Sequence, residues 1–125
     1  MTPFGARLRE LRAERGISLR QMAADLMVSP AYLSALEHGH RGRPGAGLIH
    51  QVCEYFGIIW DEAEALKALA ETSHPRVVVD TAALSPAHTE LANRLAQRIG
   101  TLPPEKVRAM LALLDDEPSH SQEGA

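Results

Sequence analysis

Aromatic residues are scarce in this chain, at 4%, and there is one cysteine, Cys53. A core with so few rings has to be built from Leu, Ala, Ile, Val and Met. A lone thiol excludes an internal disulfide, and no Cys/His spacing matches a zinc site; a reducing compartment is expected. Long apolar runs are missing too, falling far short of the roughly 20 residues that span a bilayer. The start, Met1-Thr2-Pro3-Phe4-Gly5-Ala6-Arg7, lacks the apolar segment of a secretory signal. A cytoplasmic protein without membrane association is therefore expected. There is no nucleotide-binding glycine loop, no nucleophile elbow and no pair of carboxylates in a pocket-forming context. The expectation is a protein that is not an enzyme and takes no cofactor. His38, His40 and His50 lie close together, but no completing ligand pattern accompanies them, so no metal is expected.

What is present is a chain of 125 residues, 45% of them apolar, enough for one domain and an appendage. Its net charge of −3 is unevenly spread. Residues 1–50 carry seven Arg against four acids, a balance of +3. Residues 51–80 carry Lys67 and Arg76 against six acids, and residues 81–125 four bases against six. Phosphate attraction depends on the local patch and not on the total.

Periodicity and cap signals predict an all-α fold. Phe4, Leu8 and Leu11 have helical spacing, and Gly16 provides a stop. Ser18 is a cap for a second helix with Met22, Ala23 and Leu26 inward, and Ser29-Pro30 opens a third that ends near Glu37. After a loop over 40–45, a fourth helix carries Leu48, Ile49, Val52, Cys53 and Phe56 and closes at Gly57. Asp61 is expected to cap a fifth, running to about Glu71. The stretch Arg76-Val77-Val78-Val79-Asp80-Thr81 is β-branched and predicts extended chain, either a linker or a segment pairing with a second copy. Ser85-Pro86 opens a sixth helix lined by Leu91, Leu95 and Ile99 and stopped by Gly100. Pro103-Pro104 opens a seventh, with Val107, Met110, Leu111 and Leu114 apolar.

The second and third predicted helices carry the functional argument. Two short helices joined by a tight turn pack closely only where the first offers a small residue, and Ala23 occupies that place. Met22, Leu26, Val28, Leu33 and Leu36 would close a small core and leave the start of the third helix free. A rod of that size fits the major groove of duplex DNA.

In Leu8-Arg9-Glu10-Leu11-Arg12, Gly16-Ile17-Ser18, Met22-Ala23, Val28-Ser29, Tyr32-Leu33-Ser34 and Glu37-His38-Gly39 the chain resembles the phage-repressor-like (Xre/Cro) helix-turn-helix regulators. The likeness covers residues 4 to about 70. It implies a groove-reading helix over 29–35, with Ser29, Pro30, Ala31, Tyr32, Ser34 and Ala35 towards bases or sugar-phosphate. It further implies Ser18 and Leu19 beside the backbone, Arg41 and Arg43 on phosphates, and a structural ion pair between Arg12 and Glu37. The chain departs from the pattern in three ways. Met27 stands where Gly is usual in the turn, which predicts an altered turn. Leu19 replaces a polar residue, and Pro30, Ala31 and Ala35 leave little for hydrogen-bonded base reading, so thymine methyls and DNA shape would matter more.

The resulting expectation is a five-helix helix-turn-helix domain over 1–72, an extended linker over 73–84, a helical hairpin for dimerisation over 85–116 and a disordered tail over 117–125. The implied function is a homodimeric, sequence-specific double-stranded DNA-binding repressor. The alternatives are a protein-interaction module on the same fold and an autoregulatory antitoxin. Cys53 is expected to pack, not to sense redox state.

Overall fold

A computed structural model describes residues 1–115, so the expectation for the tail over 117–125 lies outside the described residues. Among them are seven α-helices: α1 (Pro3–Arg15), α2 (Leu19–Asp25), α3 (Pro30–Glu37), α4 (Ala46–Phe56), α5 (Trp60–Glu71), α6 (Pro86–Arg98) and α7 (Pro104–Leu114). The fold is all-helical, and no strand occurs among the described residues. The valine run at 77–79 is exposed coil. The chain divides into two units, Met1–Val77 and Val78 onward.

The first unit is built on one core. Phe4, Leu8 and Leu11 of α1 meet Met22 and Ala23 of α2, Leu33 and Leu36 of α3, and Ile49, Val52 and Phe56 of α4, with Leu66 and Ala70 of α5 completing it. Leu26 and Val28, assigned inward by their spacing, are half-buried against this cluster. The predicted serine caps are in place. Ser18 Oγ accepts from the Gln21 amide at 3.0 Å and Ser29 Oγ from the Tyr32 amide at 3.0 Å, each satisfying an amide that a helix start leaves free. Ser73 extends the unit beyond residue 72: its buried hydroxyl accepts from the Phe4 amide at 2.9 Å and donates to the Leu69 carbonyl at 2.6 Å.

Helix ends follow a common device. After α1, α3 and α4 a glycine enters the left-handed region, at φ 64° (Gly16), 83° (Gly39) and 68° (Gly57). The same geometry closes α2 without glycine. Met27 has φ 61°, its amide donates to Ala24 at 3.1 Å, and the Val28 amide donates to Ala23 at 2.9 Å. The turn expected to be altered by Met27 therefore keeps the left-handed form, at the cost of a strained residue. Its side chain is 90% exposed and contributes almost no packing. Met27→Gly should raise stability by about 1 kcal/mol, the relief of strain outweighing the freer unfolded chain. Thermal unfolding should show an increase of roughly 4–8 °C; an unchanged or lower midpoint contradicts the strain.

The start of α5 corrects the sequence reading. Asp61 is not its cap; Ile59 is, and it makes no side-chain cap bond, while Asp61 and Glu62 sit in the first turn. The reason is the tight exit from α4. The Ile58 amide donates to Cys53 at 2.8 Å, Ile58 is buried, and Trp60 turns the chain straight into α5 at φ 55°. Gly100 likewise does not end α6 directly but sits in a 3-10 turn, Ile99–Thr101.

In the second unit, Ser85 caps α6 by accepting from the His88 amide, and Asp80 Oδ1 accepts from the Ala82 amide at 2.9 Å. Leu91, Leu95 and Ile99 face Val107, Met110 and Leu111 across an apolar cleft of about 280 Å³. Neither α6 nor α7 has a buried residue.

Candidate nucleic-acid interface

The site is built from two helix starts and a loop. α2 and α3 share the core, where Ala23 and Leu33 are both buried, and the left-handed turn at Met27 follows α2 on the way to α3. Neither helix carries an acidic residue in its first turn, a feature shared with α1, α4 and α6, whereas α5 carries two and α7 one. Helix starts bear partial positive charge, which acids ordinarily satisfy. Left without acids, the starts of α2 and α3 are suited to an outside anion such as phosphate.

On α3 the buried residues are Leu33, Leu36 and Glu37. Pro30 and Ala31 are exposed, and Tyr32, Ser34 and Ala35 are half-buried. On α2, Ser18 is exposed, but the side chain of Leu19 is half-buried against the core, so its hydrophobic body supports the helix from within. The His38 ring nitrogen Nδ1 lies 2.9 Å from the Ser34 carbonyl, and His40 donates its amide to Ala35 at 2.8 Å. These bonds tie the loop after α3 to the helix.

The cations divide by their partners. Arg12 pairs with Glu37 inside the unit, and Arg9 approaches the same carboxylate at 3.7 Å. Arg7 lies between Glu10 and Glu14 at 3.6 Å from each. Arg43 bonds Glu71 at 2.8 Å, tying the loop to the end of α5. A phosphate would have to draw it from that partner, a modest cost because both side chains are largely exposed. Among the described residues 1–50, Arg15, Arg20 and Arg41 have no carboxylate partner. Arg15 lies over Phe56 at 5.1 Å and Arg41 over Tyr32 at 5.1 Å.

Arg20 is a further cation at this surface, beyond the residues that the family resemblance implies. It sits exposed in the first turn of α2, where a cation opposes the helix dipole. That mismatch between charge and position was the available signal. Together, Arg20, Arg41, Ser18, Ser29, Pro30 and Ala31 form an exposed set around the two helix starts.

Asp25, at the end of α2, locks the pair to α4. Its Oδ2 accepts from the Tyr55 hydroxyl at 2.5 Å and its Oδ1 from Gln21 Nε2 at 2.8 Å. Burial, then the hydrogen bond and the negative charge of Asp25, push the Tyr55 phenol up to about 12 from its ordinary 10.0. Because the native chain holds this proton longer than the unfolded one, the associated stability is whole below pH 10.0 and declines as pH rises towards about 12. Absorbance at 295 nm should show a tyrosinate step near pH 12 that Tyr55→Phe removes. Its persistence in that variant contradicts the assignment.

Cys53 is half-buried against the core, and burial pushes its thiol above the usual range, with Lys67 acting in the opposite sense. It lines a groove of about 700 Å³ between α4 and α5 with Ile49, Ile58 and Ala63. Among the described residues no three His, Cys, Asp or Glu side chains are grouped to hold a metal. No helix of the described residues is long and apolar enough to cross a membrane.

Comparison with known proteins identifies relatives over about half of the chain. The chain is 34% identical over 65 residues to an uncharacterized HTH-type transcriptional regulator, RghRB, of Bacillus subtilis (strain 168), covering 52% of this chain and 47% of that protein. It is 38% identical over 61 residues to the HTH-type transcriptional repressor RghR of the same strain, covering 49% and 45%. It is 42% identical over 57 residues to the HTH-type transcriptional regulator RamB of Mycobacterium tuberculosis (strain ATCC 25618 / H37Rv), covering 46% and 12%. The matches thus span less than half the length of each relative. No solved structure matches significantly. The pattern of the helix-turn-helix domain family covers residues 3–71, more than half of the chain, and this protein belongs to that family.

Proposed function

We propose that the chain is a sequence-specific double-stranded DNA-binding transcriptional regulator of the Xre/Cro type, working in the cytoplasm as a homodimeric repressor. The observation that carries this reading is the α2–α3 pair, packed on the core from within, whose outer side presents Arg20 and Arg41 with no carboxylate partner among the described residues. The names of the relatives, two regulators and a repressor, support it. In this reading α3 lies in the major groove, with Pro30, Ala31, Ser34 and Ala35 nearest the bases. Ser18, Ser29, Arg20, Arg41 and Arg43 meet the sugar-phosphate backbone. Small and apolar groups on the reading helix favour thymine methyls and groove shape over bidentate hydrogen bonds. The role is binding, not catalysis.

Residues 85–116 are assigned to dimerisation. Leu91, Ile99, Leu111 and Leu113 are all more than half exposed in the single chain, and a hairpin with no buried residue needs a partner surface. Both charge signs occur on α6 (Glu90, Arg94) and on α7 (Glu105, Lys106), which suits a second copy of the same hairpin. Two linked half-site readers also compensate for modest contacts by each one.

The test is titration of the whole chain with genomic DNA fragments at several salt concentrations. Affinity should fall steeply with salt, a minority of fragments should bind preferentially, and two chains should occupy each site. Replacing Arg41 and Arg43 together by Ala should weaken binding to all fragments and lower the salt slope by about 2, whereas Ser34→Ala should alter which fragments are preferred. Salt-independent affinity with no preferred fragment contradicts the proposal and favours the protein-interaction reading.

A further inference from the structure

We propose that Tyr32 is a positioning residue, whose ring holds the Arg41 guanidinium ready for a DNA phosphate. The inference rests on the DNA-binding reading above and gives Tyr32 a task other than base contact. Arg41 stands in a loop between two glycines in the left-handed region, Gly39 at φ 83° and Gly42 at φ 76°. The main chain on either side is pinned: the His40 amide donates to Ala35 at 2.8 Å and the Gly42 amide to Gly39 at 3.3 Å. The long side chain has no such anchor. Among the described residues no carboxylate pairs with it, in contrast to Arg43 and its partner Glu71. What it has is the Tyr32 ring, 5.1 Å from the guanidinium carbon to the centroid.

The ring is a firm platform. Tyr32 lies in the first turn of α3, its amide is bonded to Ser29 Oγ at 3.0 Å, and its side chain is half-buried. Its negative π face attracts the cation and restricts the rotamers that an exposed Arg would otherwise sample. Attraction to a ring face needs no hydrogen-bond acceptor, so it does not use up the N–H donors that grip a phosphate. Holding Arg41 this way and binding phosphate are thus compatible, unlike a carboxylate bridge, which occupies the same donors. An anchor to phosphate is indifferent to sequence. Loss of the ring therefore weakens all duplexes alike.

The experiment is a double-mutant cycle on the full chain with a preferred fragment and a random-sequence duplex. Tyr32→Leu keeps an apolar body without a π face and should weaken both duplexes about two- to fivefold. Tyr32→Phe should bind as the unchanged protein does. In an Arg41→Ala background, Tyr32→Leu should add no further loss on the random duplex. Undiminished additivity, or a loss confined to the preferred fragment, overturns the positioning role while leaving the DNA-binding reading intact. Wild-type affinity of Arg41→Ala alone would remove the phosphate contact, and the proposal with it. A measurement on the unmutated chain stands beside the cycle: ring current should shift the Arg41 side-chain proton resonances upfield, and unshifted resonances overturn the proposal.

Discussion

Glu37→Gln should cost the first unit about 3–5 kcal/mol, because it leaves the Arg12 cation enclosed without its counter-charge. Glu37 is 0% exposed and accepts from both terminal nitrogens of Arg12, which is itself buried. Arg9 adds a second, more exposed cation at 3.7 Å from the same carboxylate. Urea unfolding of the variant should give a midpoint lowered by that free energy divided by the slope, with the slope preserved. The double change Arg12→Leu with Glu37→Leu should recover much of the loss, since removing both charges also removes the penalty of enclosing them. A Glu37→Gln loss below about 1 kcal/mol would place the pair with exposed bridges such as Arg43–Glu71, and would contradict its structural role.

The second large effect is expected at Gly5, on the face of α1 that crosses the end of α3. A Cβ there would stand 2.1 Å from the Glu37 carbonyl oxygen and 2.7 Å from Glu37 C and Cα. All three are backbone atoms, so no flexible side chain can yield. The carbonyl is moreover held in place by the Thr2 amide at 3.1 Å, while Thr2 Oγ1 accepts from the Gly5 amide at 3.0 Å. Gly5→Ala should therefore destabilise by about 3 kcal/mol, at the upper end of over-packing effects. On the proposed function it should weaken DNA binding as well, because relief of the clash moves the end of α3. Gly47→Ala, where nothing lies within 4 Å of the added carbon, is the matched control and should lose no stability. Equal stability of the two variants contradicts the close crossing.

These two positions also mark the limits of what was legible in the sequence. Local signals were sufficient for the helices. Ser-Pro pairs announced α3 and α6, and Gly16 and Gly57 announced the ends of α1 and α4, because cap chemistry involves only residues a few positions apart. The close approach of Gly5 to Glu37 depends on how two helices cross, and nothing near Gly5 in the chain encodes it. The partner of Arg43 is likewise remote, 28 residues away. Trp60 was unreadable for another reason. An aromatic residue at φ 55° contradicts its own propensity, and only the tight exit from α4 through buried Ile58 requires it. Met27 shows the converse: the rule predicting trouble in the turn was sound, but two hydrogen bonds after α2 retain the left-handed geometry. The helix α3 itself, with its serine cap and inward Leu33 and Leu36, follows from period and cap alone.

In the proposed function the starts of α2 and α3 and the loop after α3 form one surface that meets duplex DNA. This is tested most directly by following backbone amide resonances of the whole chain during titration with a preferred fragment. The largest perturbations should fall at Ser18–Arg20, Ser29–Ala35 and His38–Arg43, and they should fade as salt is raised. Perturbations centred on α6 and α7 or on the α4–α5 groove, with those three stretches unmoved, would contradict it.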